Sequence, residues 1–228
     1  MGGVVALVAL AAMALAFWSV TALAHDVAEG DKAFVLATDG PAILPFLYLG
    51  AKHMVTGYDH ILFLIGVVFY LYRLKDVVLY VSMFTIGHST TLLLGVLLGF
   101  GANAHLVDAV IGLSVAYKGM ENIGGFRKLG IFINSKMAVL VFGLVHGLGL
   151  ATKLTELSLP RNGLLTNLIS FNIGVEVGQC LVLAFVLMLL GLWRGTSSFR
   201  NGAFAANLAL ISAGIFLAGY QIARYLES

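Results

Sequence analysis

The 228-residue chain is 60% hydrophobic and only 11% charged, where a soluble domain carries about 25% charged residues, and its mean hydropathy is +0.99. These values exclude a soluble core for most of the chain and make lipid its solvent. A net charge of +2 excludes a nucleic-acid surface, and the single cysteine, Cys180, excludes a disulfide framework or a cysteine-based zinc site.

Residues 4–24 are apolar and end in Ala22-Leu23-Ala24 before polar His25-Asp26. Small residues at the last and third-last positions predict a signal peptide cleaved after Ala24, with a retained first transmembrane helix as the alternative. Cleavage would leave His25 at the amino terminus, where amine and ring together can chelate a metal. Residues 25–41 are polar and acidic, with Asp26, Glu29, Asp31 and Asp39 against Lys32, and close on a Gly40-Pro41 turn signal. This stretch is expected in the periplasm. Residues 42–53 read as an apolar lead-in helix lying at the membrane interface.

Transmembrane helices are then predicted over 55–73, 77–100, 105–124, 137–153, 164–192 and 203–223, at roughly 20 residues per crossing. Helix is the default because every backbone polar group within the bilayer needs an internal partner. The expected fold is therefore an all-α polytopic bundle, six helices after a signal peptide or seven if the N-terminal segment stays. Residues 42–228 make a single membrane domain. Arg73, Lys75, Arg127, Lys128, Lys136, Arg194 and Arg200 fall in one set of loops, and Lys32, Lys153, Arg161 and Arg224 in the other. The first set is expected in the cytoplasm, which puts both mature termini in the periplasm of a bacterial inner-membrane protein. Gly143 with Gly147, and Gly174 with Gly178, repeat at four residues, a spacing that lets helix backbones approach closely. They fit packing within the chain or between copies in an oligomer.

Ionisable residues inside membrane helices are costly unless paired or solvated, and this chain carries many. His53, Asp59 and His60 surround the start of the first helix. His88 lies mid-helix in the second, and His146 just past the middle of the fourth. Asn172, Glu176 and Gln179 sit on the fifth, with Gly174 and Gly178 expected to give a partner helix access to the Glu176 carboxylate. The expected metal ligands are His53, Asp59, His60, His88, His146 and Glu176, converging in the outer half of the membrane. His53 would be the ligand an incoming ion meets first. His53 and His60 are about 10 Å apart along a continuous helix and can share an ion only if the helix breaks, for which Gly57 offers a point. Asp59 and His60 point about 100° apart, so one can bind while the other orients a neighbour. Lys118 and Glu121 are three apart and can pair, either as a structural ion pair or as a relay. Asn122, Asn172 and Gln179 are the other candidates for supporting or relay roles. Imidazole and carboxylate without sulfur suit nickel, zinc, copper, iron or cobalt.

Several stretches resemble the HupE/UreJ family. His53-Met-Val-Thr-Gly-Tyr-Asp59-His60 fits its H-x5-D-H motif. Residues 141–149 resemble its second motif, F-H-G-x-A/V-H-G-x-E, through Gly143, Val145, His146 and Gly147. Phe142 stands where that motif has histidine and Gly149 where it has glutamate. Phe84-Thr-Ile-Gly-His88-Ser, Glu121-Asn122 and Phe171-Asn-Ile-Gly-Val-Glu176 resemble further blocks. The resemblance implies facilitated uptake of a divalent transition metal, nickel in the first place, with a metalloenzyme or its maturation proteins as partners. No G-x-x-x-x-G-K-[ST] phosphate-binding motif is present, and the chain is expected not to be an enzyme. The alternatives are an intramembrane zinc-dependent hydrolase of the ceramidase-like kind and a metal-binding accessory subunit of a membrane oxidoreductase.

Overall fold

The computed structural model describes residues 29–157 and 160–228. The signal-peptide region, residues 1–24, and His25 lie outside them. All the described regular structure is helical: α1 (Glu29–Ala37), α2 (Ile43–Thr56), α3 (Tyr58–Val68), α4 (Leu74–Leu98), α5 (Ala104–Asn122), α6 (Gly125–Lys128), α7 (Ser135–Glu156), α8 (Leu164–Arg194) and α9 (Ser197–Glu227). Four of these, α4, α7, α8 and α9, are each long and apolar enough to cross a membrane. The protein is a multi-pass helical membrane bundle.

The helices pack as three close pairs, α4 on α7, α5 on α9 and α2 on α8, and glycine sets each contact. A Cβ on Gly143 would lie 2.3 Å from the Phe84 carbonyl oxygen, and one on Gly147 would lie 2.1 Å from that of His88. A Cβ on Gly174 would lie 2.0 Å from the Leu47 carbonyl oxygen, one on Gly178 2.7 Å from that of Ala51, and one on Gly214 2.4 Å from the Ala116 nitrogen. Lipid gives helices no hydrophobic reason to associate, so close backbone packing supplies the attraction. Both glycine pairs read from the sequence serve contacts within the chain.

The expected helix over 55–73 and the interfacial lead-in over 42–53 are corrected. The segment is two helices in series, interrupted at Gly57, whose ψ of 98° leaves the helical region. Together they run beside α8 in the same direction, with Leu47 against Gly174, Met54 against Gly178 and Val68 at Arg194. Both ends are tied to α8. Asn167 accepts from the Ala42 amide at 2.7 Å and donates to the Gly40 carbonyl at 3.0 Å. Arg194 donates to the carbonyls of Val68, Phe69 and Leu71 at 2.6, 2.7 and 3.1 Å, satisfying the end of α3. Residues 29–37, expected as a polar segment, form α1. Its Phe34 ring lies 6.4 Å from that of Phe46 on α2, and its Val35 is buried.

Arg73, Arg127, Lys136 and Arg194 mark one end of the bundle, called here the basic end. Lys153 and Gln221 lie at the other, the far end.

Candidate metal centre

Gly57 breaks the series of helices in its middle, and the break gathers the site. His53, in the last turn of α2, and His60, in the first turn of α3, bring their rings to a centroid distance of 5.1 Å. A continuous helix would hold them about 10 Å apart. A Cβ on residue 57 would lie 2.9 Å from His60 Nδ1 and 3.3 Å from Asp59 Oδ1. Glycine is therefore needed here for space, since its φ of −76° is open to any residue.

His53, His60 and His88 each offer a ligand atom, and these atoms lie within 4.8 Å of one another. Two nitrogens on one ion, at bonds of about 2.1 Å, can be at most about 4.2 Å apart, so the rings draw in by some tenths of an ångström around an ion. His88 is 1% exposed, yet neither of its ring nitrogens makes a hydrogen bond. Leaving a buried polar group without a partner costs about 1–3 kcal/mol, and a metal ion removes that cost.

The neighbouring polar groups set ring orientation. Asp59 is 1% exposed and its Oδ1 lies 3.0 Å from His60 Nδ1. The carboxylate accepts the Nδ1 proton, which directs the Nε2 lone pair to a ligand, the support that metal-bound histidines usually have. Asp59 thus orients its own neighbour. His146 follows the same logic, for its Nδ1 donates to the Phe142 carbonyl at 2.7 Å, which places the lone pair on Nε2. Its ring stands 4.9 Å from that of His60, so it borders the three-histidine group as a fourth imidazole. Gly147, beside it, holds α7 against the His88 turn.

The remaining candidates separate. Glu176 is exposed on α8 and stands apart from the grouped ligand atoms. Gly174 and Gly178 face α2, and Glu176 lies about 200° around the helix from Gly174, so the expected access to its carboxylate is corrected. Asn172 is buried and donates to Leu168 in its own helix at 2.9 Å. Gln179, 1% exposed, accepts from Thr85 at 3.2 Å and so joins α8 to α4. Lys118 pairs with Glu121, which also accepts from Ser135 at 3.1 Å. Asn122 donates to the Gly66 carbonyl at 2.9 Å and to Asn207 at 2.8 Å.

Aromatic side chains that the sequence reading passed over form the floor of the site. Phe63 lies 5.2 Å from both His146 and Phe84, and 5.8 Å from Phe142. Tyr117 continues the layer at 5.1 Å from Phe142. This layer separates the imidazoles from the Lys118–Glu121 pair. Its signal in the sequence is helical spacing, since Phe63 follows His60 by three residues and Phe84 and Phe142 each precede a histidine by four.

A family model described as HupE / UreJ protein matches residues 29–228. No curated protein and no solved structure matches the chain.

Proposed function

The chain belongs to the HupE/UreJ family, which is linked to nickel or cobalt uptake for hydrogenase and urease maturation, and we propose that it carries a divalent transition metal, nickel first, across the bacterial inner membrane. The observation that supports this most is His88, buried with two unbonded ring nitrogens beside His60 and His53. An interrupted helix near mid-membrane, with polar ligands at the interruption, is how many transporters build a substrate site. In this reading α2–α3 and α5 add two crossings to the four long helices, and both mature termini are periplasmic. The aromatic floor of Phe63, Phe84 and Phe142 closes the path toward the cytoplasm, and Lys118–Glu121 lies beyond it. Uptake rather than catalysis is the role, with a metalloenzyme or its maturation proteins receiving the ion.

Three imidazoles are also the ligand set of some hydrolytic zinc centres. Such a hydrolase needs a general base near the metal-bound water, and the carboxylate nearest the cluster, Asp59, is hydrogen-bonded to His60. That arrangement favours a carrier.

Proteoliposomes holding the full chain should accumulate Ni²⁺ or Co²⁺ down a gradient, and His60→Ala with His146→Ala should return uptake to the level of empty vesicles. Wild-type vesicles that accumulate neither ion, while the purified protein retains stoichiometric zinc, would sink the carrier reading and favour the hydrolase.

A further inference from the structure

A second polar cluster stands toward the far end, where α5, α7 and α9 meet, and no role described so far uses it. Asp108 is 6% exposed. Its Oδ2 accepts from Lys153 Nζ at 2.9 Å and from Gln221 Nε2 at 3.3 Å. Gln221 is itself oriented, because its Oε1 accepts from His105 Nδ1 at 2.9 Å, which turns its amide NH₂ toward Asp108.

The other carboxylate oxygen behaves differently. Asp108 Oδ1 is buried and has no hydrogen-bond partner. It faces α7 at Gly149, where an added Cβ would lie 3.7 Å from it. Gly149 is three residues beyond His146, about 4.5 Å along the helix. Measured along α7, the bare oxygen therefore stands at the level of Gly149, about 4.5 Å from His146 toward the far end. A purely structural ion pair would be expected to satisfy both oxygens, since buried polar atoms are nearly always bonded. Here one oxygen is held and the other, facing Gly149 of the helix that carries His146, has no partner.

We propose that Asp108 is a second cation-binding position, at the level of Gly149 on the far-end side of His146, and that Lys153 is a tethered ammonium holding its carboxylate until a divalent transition metal takes its place. The inference rests on the uptake reading above. Lys153 suits the task. It lies in the last turn of α7, its side chain is 18% exposed, and its flexible stem lets the charged head move to water. Exchange costs little electrostatically, because the carboxylate never stands alone in a site where an unpaired charge would cost several kcal/mol. The ion approaches Oδ1, the ammonium leaves Oδ2 for the aqueous side, and no proton is transferred. From Asp108 the ion passes to the imidazoles, and Lys153 returns.

The test is initial Ni²⁺ uptake against concentration in proteoliposomes of the full chain, for wild type, Asp108→Asn and Lys153→Met. Asp108→Asn should raise the half-saturating concentration by about tenfold and leave the maximal rate nearly unchanged, because a binding position has been lost without loss of the central site. Lys153→Met removes the competitor and should lower the half-saturating concentration, a gain that misfolding cannot produce. A structural pair gives a different pattern: both single variants lose rate and the double variant recovers it. That result, or an Asp108→Asn protein indistinguishable from wild type, overturns the proposal. Equilibrium dialysis of Ni²⁺ against a His60→Ala, His88→Ala protein separates this inference from the uptake reading. One weakly held ion should remain, bind more tightly when Lys153→Met is added and disappear when Asp108→Asn is added. No residual ion would sink the second site even if transport stands.

Discussion

Two buried polar regions of this bundle lie on either side of an aromatic layer, and they are built on opposite principles. Toward the basic end, Lys118, Glu121, Ser135, Asn122 and Asn207 bond to one another and to the Gly66 carbonyl. Every link there joins one helix to another or to itself. At the break between α2 and α3, hydrogen bonds position His60 and His146, while His88 makes none with either nitrogen. A satisfied network fixes a structure, whereas an unsatisfied buried ring calls for a partner, which the proposed ion would supply.

Substitution should separate the two regions on different axes. His88→Ala is expected to have the largest effect on function, reducing metal uptake to background, while thermal stability falls only by the cost of the cavity a buried ring leaves, with no hydrogen bond lost. Lys118→Met should do the reverse, lowering the unfolding temperature and leaving the equilibrium affinity for Ni²⁺ unchanged. Breaking a fully buried pair costs about 3–5 kcal/mol. Glu121 is 23% exposed, so the loss here should be smaller, and adding Glu121→Gln should restore part of it. If Lys118→Met instead weakened metal binding as much as His88→Ala, the lower cluster would belong to the path and the contrast would fail.

A smaller effect tests how the upper region is supported. Asp59 acts on the ion through His60, and removing such support typically costs 10–100-fold in metal affinity. Asp59→Asn keeps the size and loses the charge, so Ni²⁺ affinity measured by isothermal titration should fall by about that factor, with the stoichiometry retained. A loss of stoichiometry would make Asp59 a direct ligand. An affinity equal to wild type would leave the aspartate without a role at the centre.

The sequence made the class, the pairing glycines and the histidines legible because each follows from a local rule. Hydropathy over 20 residues marks a crossing, and a four-residue glycine spacing marks a close contact. The break at Gly57 was legible only as a condition, because φ and ψ there are available to all residues and the reason for glycine is space beside His60. That crowding exists only once α3 restarts beyond the break and brings His60 and Asp59 beside residue 57. Which helix pairs with which was not legible, since α4 meets α7 and α2 meets α8 across stretches that share no periodic signal. The open oxygen of Asp108 was hidden for the same reason, because it depends on how α5, α7 and α9 meet. Asp108 and Lys153 were visible as charges, but nothing local ties residues 45 apart into one pair.

The smallest expected effect concerns Glu176, which sequence reasoning placed with the ligands. Around α8 it lies about 40° past the buried Asn172, just beyond the edge of the inward arc, and its side chain is exposed among Ile173, Val177 and Cys180. It is exposed while the grouped imidazoles are largely buried, on a helix that packs on α2 through Gly174 and Gly178. Glu176→Gln should therefore leave Ni²⁺ affinity at the histidine cluster within about twofold of wild type, well under the 1.4 kcal/mol that a tenfold change represents. A carboxylate facing hydrocarbon is costly, so the same substitution should not lower the unfolding temperature of the monomer. If affinity fell tenfold or more, α8 would have to rotate during transport, and the contrast between a liganding break and a packing helix would give way to one moving unit.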